Sequence, residues 1–123
     1  MADVEGLVAY LQDEHGDDLH GVIGARNDDG VEGTVHYLRP DVEERYEEAD
    51  LEAMAKELIF GSLESGYLDD IYHLGGHRFS VEYFEYAALL MIALDDDHAI
   101  AIGLTATDEL NHTAIARECL SRL

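Results

Sequence analysis

Histidines and carboxylates make metal binding the first chemistry to consider, since the chain holds seven histidines and 28 aspartates and glutamates. His73 and His77 are four residues apart, which would place both imidazoles on one face of a helix. Gly75 and Gly76 lie between them and disfavour that helix. The run 95–98 (DDDH) offers oxygens to a hard cation but lacks the central glycine and distal glutamate of a calcium loop. We therefore predict no metal site and a solvated turn at 95–98. Four other histidines are expected on the surface rather than as ligands: His15, His20, His36 and His112.

Nucleophilic catalysis finds little support in the sequence. Cys119 falls in a predicted C-terminal helix with no base placed beside it, so we expect a buried structural thiol. Ser62, Ser65 and Ser80 do not lie in the strand–turn–helix setting of a nucleophile elbow. The glycines match neither the GxGxxG nor the GxxxxGK[ST] phosphate-binding pattern. We predict no catalytic residue and no cofactor, and hence a protein that is not an enzyme.

His36, Tyr37 and Arg39 stand at the end of a predicted strand, a place where small-molecule sites often form. Because the chain contains only seven lysines and arginines, Arg39 is a scarce cation that an anionic partner could use. The favoured interpretation is a structural ion pair between Arg39 and Asp41 or a nearby glutamate.

The strongest compositional signal is a formal net charge of -21, with a single lysine, Lys56. The acids are interspersed with periodic apolar residues, which indicates a folded domain with an acidic surface rather than a disordered tail. Such a surface repels itself, and molar salt reduces the screening length to about 3 Å. Acid-rich, lysine-poor folded chains are typical of the cytoplasm of extreme halophiles, so we predict a cytoplasmic protein that requires high salt for stability.

Charge and hydropathy also argue against two classes of partner. The scattered arginines form no basic patch for phosphates, so we expect no nucleic-acid binding. No segment approaches the roughly 20 apolar residues of a membrane-spanning helix, and the acidic N-terminus lacks the basic region of a secretory signal.

One cysteine cannot form an internal disulfide, which fits a reducing compartment. The length of 123 residues suits one domain, 1–123.

Apolar periodicity predicts helices that alternate with pairs and triplets of strands. A capping box of Asp41 and Glu44 is expected to begin a helical turn, and a connecting segment is expected at 63–74, with an optional helical turn at 68–72. Residues 87–94 are apolar on both parities, which favours the centre of the sheet, and 78–84 its edge. The predicted elements are helix 4–14, strands 19–25 and 31–38, helix 51–63, strands 79–84, 87–94 and 99–104, and a helix from 107 or 108 to 120.

This element order, α-β-β-α-β-β-β-α, resembles the roadblock and longin group of profilin-like domains. The resemblance implies an α+β fold: a five-stranded, mainly antiparallel sheet with one longer helix on one face and the terminal helices on the other. Roadblock-type domains commonly dimerise through the long helix and the third strand, here 51–63 and 79–84. The resemblance therefore implies a homodimer or a related protein partner, with interface residues Leu51, Met54, Leu58, Phe79, Val81, Tyr83 and Phe84.

Two short segments, 37–42 (YLRPDV) and 84–87 (FEYA), resemble an uncharacterised family of small acidic haloarchaeal proteins. The resemblance implies a haloarchaeal host and a cytoplasmic location but implies no mechanism. The favoured function is a regulatory or scaffold role through protein contacts. A PAS-like sensor of small ligands is the alternative, for which a closed apolar pocket between sheet and helix would be the sign. A small metal-dependent enzyme is the third hypothesis.

Overall fold

A computed structural model describes residues 3–123, without the side chains at positions 65 and 66. The predicted order of elements is confirmed, and the helical turn expected after the second strand is present as a short helix. The elements are α1 (Val4–His15), β1 (Leu19–Asp28), β2 (Gly30–Leu38), α2 (Pro40–Glu43), α3 (Glu48–Tyr72), β3 (Phe79–Tyr83), β4 (Ala88–Ala93), β5 (His98–Leu104) and α4 (His112–Arg122). No helix among the described residues is both long and apolar enough to cross a membrane.

The five strands form one antiparallel sheet in the order β2-β1-β5-β4-β3. The predicted edge position of β3 is confirmed, and β2 forms the opposite edge. The prediction that 87–94 is the centre is wrong, because β5 is the middle strand and β4 lies between it and the edge. Both strands contribute apolar side chains to the cores on both faces, although β4 is only half-buried on the α3 side, so apolar residues at successive positions did not distinguish them.

The two faces of the sheet carry separate cores, as the alternation of the strands requires. On one face, side chains such as Val22, Ile100 and Ile102 pack with Leu7 of α1 and Ile115 of α4. On the other, small and β-branched residues of β1 and β5 pack against α3, with the most buried members Ile23, Ala25, Ala55, Leu58, Ile59, Ala99 and Ala101. This arrangement confirms the predicted fold class, with the long helix alone on one face.

Helix α3 differs from its predicted limits of 51–63 at both ends. A capping box of Glu47 and Asp50 satisfies the first backbone amides, whereas the predicted box at Asp41 and Glu44 is wrong because the Asp41 carboxylate pairs with Arg39. The helix continues through the segment predicted to be a connection and ends at His73, which adopts the left-handed conformation with φ 55°.

Helix α4 begins later than predicted. Asn111 is its N-cap and accepts a hydrogen bond from the amide of Ala114 at 3.0 Å, so neither Thr107 nor Asp108 caps it. Thr107 instead supports a turn before the helix, where its hydroxyl oxygen accepts from the Glu109 amide. A tight hairpin turn joins β1 to β2, with Gly30 at φ 132°.

Candidate protein-interaction surface

Strand β3 lies at the rim of the sheet and pairs with β4 alone among the described strands. An unpaired edge leaves backbone amides and carbonyls available for another strand. Phe79 and Val81 of β3 turn toward the core formed with α1 and α4 and are partly buried there. Tyr83 and Phe84 are 65% and 55% exposed. Of the four residues predicted for an interface in this segment, the last two therefore present large apolar surfaces to solvent.

The predicted interface residues on α3 lie in the half of the helix that covers the sheet. Leu58 is only 6% exposed and belongs to the core between α3 and the sheet. Leu51 and Met54 are partly buried against the same core. These three side chains hold the helix on its own sheet, and little of Leu58 is left for contact with another chain.

The second half of α3 carries a stripe of exposed apolar side chains that the sequence reasoning missed. We call this set the overhang stripe, and its members are Phe60, Leu63, Tyr67, Ile71 and Leu74, the last just beyond the helix end. Successive members are three or four residues apart, which places them along one side of a helix. The spacing is readable in the sequence, but most of these residues fall in the segment 63–74 that is predicted to be a connection. The first and last members are 72% and 84% exposed.

Helix α3 does not cover the whole sheet. Its main contacts are with β2, β1 and β5. Toward β4 and β3 a groove opens, bordered by Leu58, Leu68, Ser80 and Met91. The second half of α3 and strand β3 therefore face each other across this groove, while no member of the overhang stripe lines it.

A buried histidine links the edge strand to α4. The Nε2–H of His112 donates to the backbone oxygen of Thr105 at 2.9 Å, and in the neutral ring Nδ1 accepts from the Tyr83 hydroxyl at 3.2 Å. The two rings also meet edge to face, with centroids 5.2 Å apart. His112 is 3% exposed, so its predicted surface location is wrong.

The candidate anion site at the end of β2 is internally satisfied. Arg39 donates from Nε and Nη2 to the two carboxylate oxygens of Asp41, at 2.6 and 3.0 Å, and from Nη1 to the Asp17 carbonyl at 2.7 Å. The hydrogen bonds from Arg39 lower the pKa of Asp41. The favoured interpretation of Arg39 as a structural ion pair is confirmed. His36 is half-buried beside Gly24, and desolvation lowers its pKa.

The predicted metal and nucleophile candidates lie apart from one another. His73 ends α3, while His77 stands beyond the helix and shares a hydrogen bond with the Ser80 hydroxyl at 2.8 Å. Within residues 3–123 no group of three histidine, cysteine or acidic side chains could hold a metal ion. Asp95 and His98 pair in the predicted hairpin loop at 2.8 Å. The thiol of Cys119 is buried as predicted, and burial raises its pKa to about 11, which disfavours the reactive thiolate.

The fold is shared with a solved structure, the Roadblock/LC7 domain from Streptomyces avermitilis. The two superpose with a TM-score of 0.59 over 98% of this chain and 93% of that one, at 18% sequence identity. This likeness confirms the predicted roadblock-like architecture. No curated protein matches the sequence. Residues 5–123 match the sequence pattern of a family described as Domain of unknown function (DUF7522), and the chain therefore belongs to that family.

Proposed function

We propose that this chain is a non-catalytic interaction domain that forms a homodimer, or pairs with a related partner, through the β3 edge and the overhang stripe. The observations that carry the proposal are the exposed apolar side chains in the second half of α3 and the unpaired strand at the β3 edge. Exposed apolar patches of this kind mark interaction sites in soluble proteins. The resemblance to roadblock-type domains, which commonly dimerise through these two elements, supports the same choice.

The strand edge would supply direction and register to the interface. Two β3 strands related by a two-fold axis would pair antiparallel and join two five-stranded sheets into one. Tyr83 and Phe84 would then lie at both ends of the paired segment, and aromatic side chains are enriched at interface centres. Their exposure in the single chain is consistent with this use.

The overhang stripe would supply most of the apolar burial. Each buried leucine or phenylalanine side chain contributes about 1.5–3 kcal/mol relative to exposure. The proposed interface therefore uses the second half of α3 rather than the first half expected from the sequence, because Leu58 is buried in the core between α3 and the sheet. Phe79 and Val81 contribute through the backbone of β3 rather than through their inward side chains.

The environment belongs to the proposal as well. We infer a cytoplasmic protein of a halophile, a single domain that folds and associates at high salt, because 28 acids face seven lysines and arginines. The acidic surface supports the further inference that nucleic acid is not the partner.

The experiment compares the oligomeric state of three proteins by light scattering coupled to size exclusion in molar KCl. Leu63→Gln with Tyr67→Gln removes apolar surface from the overhang stripe without adding charge. Val35→Gln is the matched control, because Val35 is also an exposed apolar residue but lies on the β2 edge. We expect a dimer for the wild type and for the control, and a dimer at least about tenfold weaker for the double variant.

Hydrogen exchange locates the contact independently of mass. Backbone amides of β3 should exchange more slowly as the protein concentration rises, while those of β2 remain unchanged. A wild-type protein that stays monomeric at micromolar concentration, or protection that develops at β2 instead, would refute the proposed homodimer.

A further inference from the structure

A second concave surface lies on the α3 face of the sheet, in the corner that the helix leaves uncovered. We call it the corner groove. Its floor is made of small residues of β1 and β5, Gly21, Ala101 and Gly103, and its walls include Tyr46, Met54 and Phe84. The cavity volume of about 660 Å³ lies within the range of small-molecule sites in proteins.

Gly103 has no structural requirement for glycine. It is not among the glycines with positive φ, so its backbone does not need the left-handed region. A Cβ placed there would have its nearest neighbour, the Cβ of His20, at 3.4 Å, an ordinary van der Waals contact. Gly21 differs, since a Cβ there would approach Leu38 within 2.6 Å. The glycine at 103 therefore leaves open a space that a larger side chain could fill.

Both Arg45 and Glu85 line the corner groove, so its rim offers a cation beside an anion on a chain with a net charge of -21. Arg45 lines the groove, and its side chain forms no hydrogen bond or ion pair with any residue in the described range. Arg39, close by, is fully used by Asp41 and Asp17. Burial lowers the pKa of His20 at the rim, and the charges of Arg39 and Arg45 lower it further, ahead of the opposing effect of nearby aspartates.

We propose that the corner groove binds a small amphipathic organic anion, with its apolar body over Gly103 and its carboxylate or phosphate on the guanidinium of Arg45. The planar guanidinium presents two parallel N–H donors, which match either anionic group. The apolar floor and walls suit an acyl or aromatic body, and the guanidinium of Arg45, which has no ion-pair partner in the described range, favours an anion over a neutral or cationic molecule. The groove shares Phe84 with the proposed dimer surface but takes a small molecule rather than a second chain, so it goes beyond the proposed function.

The test is an NMR titration of the full-length protein in molar NaCl with four probes of one chain length. Octanoate and octyl phosphate carry the two anionic groups, octanol carries none, and octyltrimethylammonium carries a positive charge. We expect saturable shifts of the amides around Gly103 with the two anions, and affinities at least about tenfold lower for octanol and the cation. The anion that binds more tightly identifies whether Arg45 prefers a carboxylate or a phosphate.

Variants of Arg45 and Gly103 test separately the charge of the guanidinium and the open space above Gly103. Arg45→Gln should weaken octanoate binding about tenfold and leave octanol binding unchanged. Arg117→Gln is the matched control, because Arg117 is an exposed arginine of α4, on the opposite face of the sheet. Gly103→Leu should abolish binding of every probe. If the leucine variant does not fold, Gly103→Ala is used instead, and this smaller change should weaken binding of every probe.

Two results would overturn the proposal. One is octanol binding as tightly as octanoate, or octanoate binding that Arg45→Gln does not change. The other is slowing of amide exchange around Gly103 with protein concentration alone, which would show that a second copy covers the groove. Light scattering of the same samples reports the oligomeric state separately, so failure of this site is distinguishable from failure of the proposed dimer.

Discussion

Replacing His112 by phenylalanine tests whether the buried histidine holds the edge strand to α4. Phenylalanine keeps a ring of similar shape in the buried position and the edge-to-face contact with Tyr83. It removes both hydrogen bonds, the one to the Thr105 carbonyl and the one shared with the Tyr83 hydroxyl.

The surroundings determine the size of the effect. The Thr105 oxygen also accepts from the Thr107 amide at 3.0 Å, so it keeps one partner after the substitution. Tyr83 is exposed and can bind water instead. Neither group becomes a buried, unsatisfied one, so the cost is that of two ordinary hydrogen bonds at about 0.5–1.5 kcal/mol each. We therefore expect His112→Phe to lower the free energy of unfolding by about 1–3 kcal/mol, and Tyr83→Phe, which removes one of the two hydrogen bonds, by about half as much.

Urea unfolding at constant molar KCl is the suitable assay, because guanidinium chloride is a salt and would itself screen the acidic surface. The two single variants and the double variant form a cycle, and its coupling energy isolates the Tyr83–His112 contact. His112→Ala extends the series, since it adds a cavity and should be worse than His112→Phe by about 2 kcal/mol or more. The reasoning fails if His112→Phe is as stable as wild type, or if Tyr83→Phe costs as much as His112→Phe.

Two further predictions concern the dependence of stability on salt and the cost of a glycine inside α3. The urea midpoint should fall as KCl is lowered from molar to about 0.1 M, because the screening length then grows from about 3 to about 10 Å and few of the 28 acids have a cationic partner; a cooperative transition with an unchanged midpoint would contradict this. Gly61→Ala should raise the free energy of unfolding by about 0.5–1 kcal/mol, because the residue lies inside α3 and an added Cβ meets no atom within 4 Å. Gly30→Ala, at φ 132°, should do the opposite and serves as the comparison in the same urea series.

Alternation along the strands was sufficient to predict the sheet, because the inner strands have one face in each of two cores. In β1, for example, Val22 faces the core with α1 and α4, while Ile23 faces α3. The edge position of β3 was also readable, since Ser80 and Glu82 alternate with its apolar residues. The middle strand was not, because β4 and β5 both carry apolar residues on both faces and the strand order depends on pairing partners distant in sequence.

The length of α3 could not be derived because local signals conflict. Glycine inside a helix costs about 1 kcal/mol, and two glycines close together read as a terminus. The capping box at Glu47 and the apolar contacts of the first half with the sheet outweigh that cost. The burial of His112 could not be predicted either, because its hydrogen-bond partner Tyr83 is 29 positions away in the sequence. The corner groove was hidden for the same reason, because five separate segments of the chain line it.

The charge and the proposed interface depend on each other. Two copies with a formal charge of -21 each repel at low salt, and ion pairs between them are unavailable because the few arginines are mostly engaged or dispersed. Association must then rest on groups that salt does not weaken. Backbone pairing at β3 and apolar burial of the overhang stripe meet that condition, and high salt removes the repulsion that opposes them. Salt should therefore strengthen the dimer as well as the fold, whereas an interface built from surface ion pairs would weaken in the same titration.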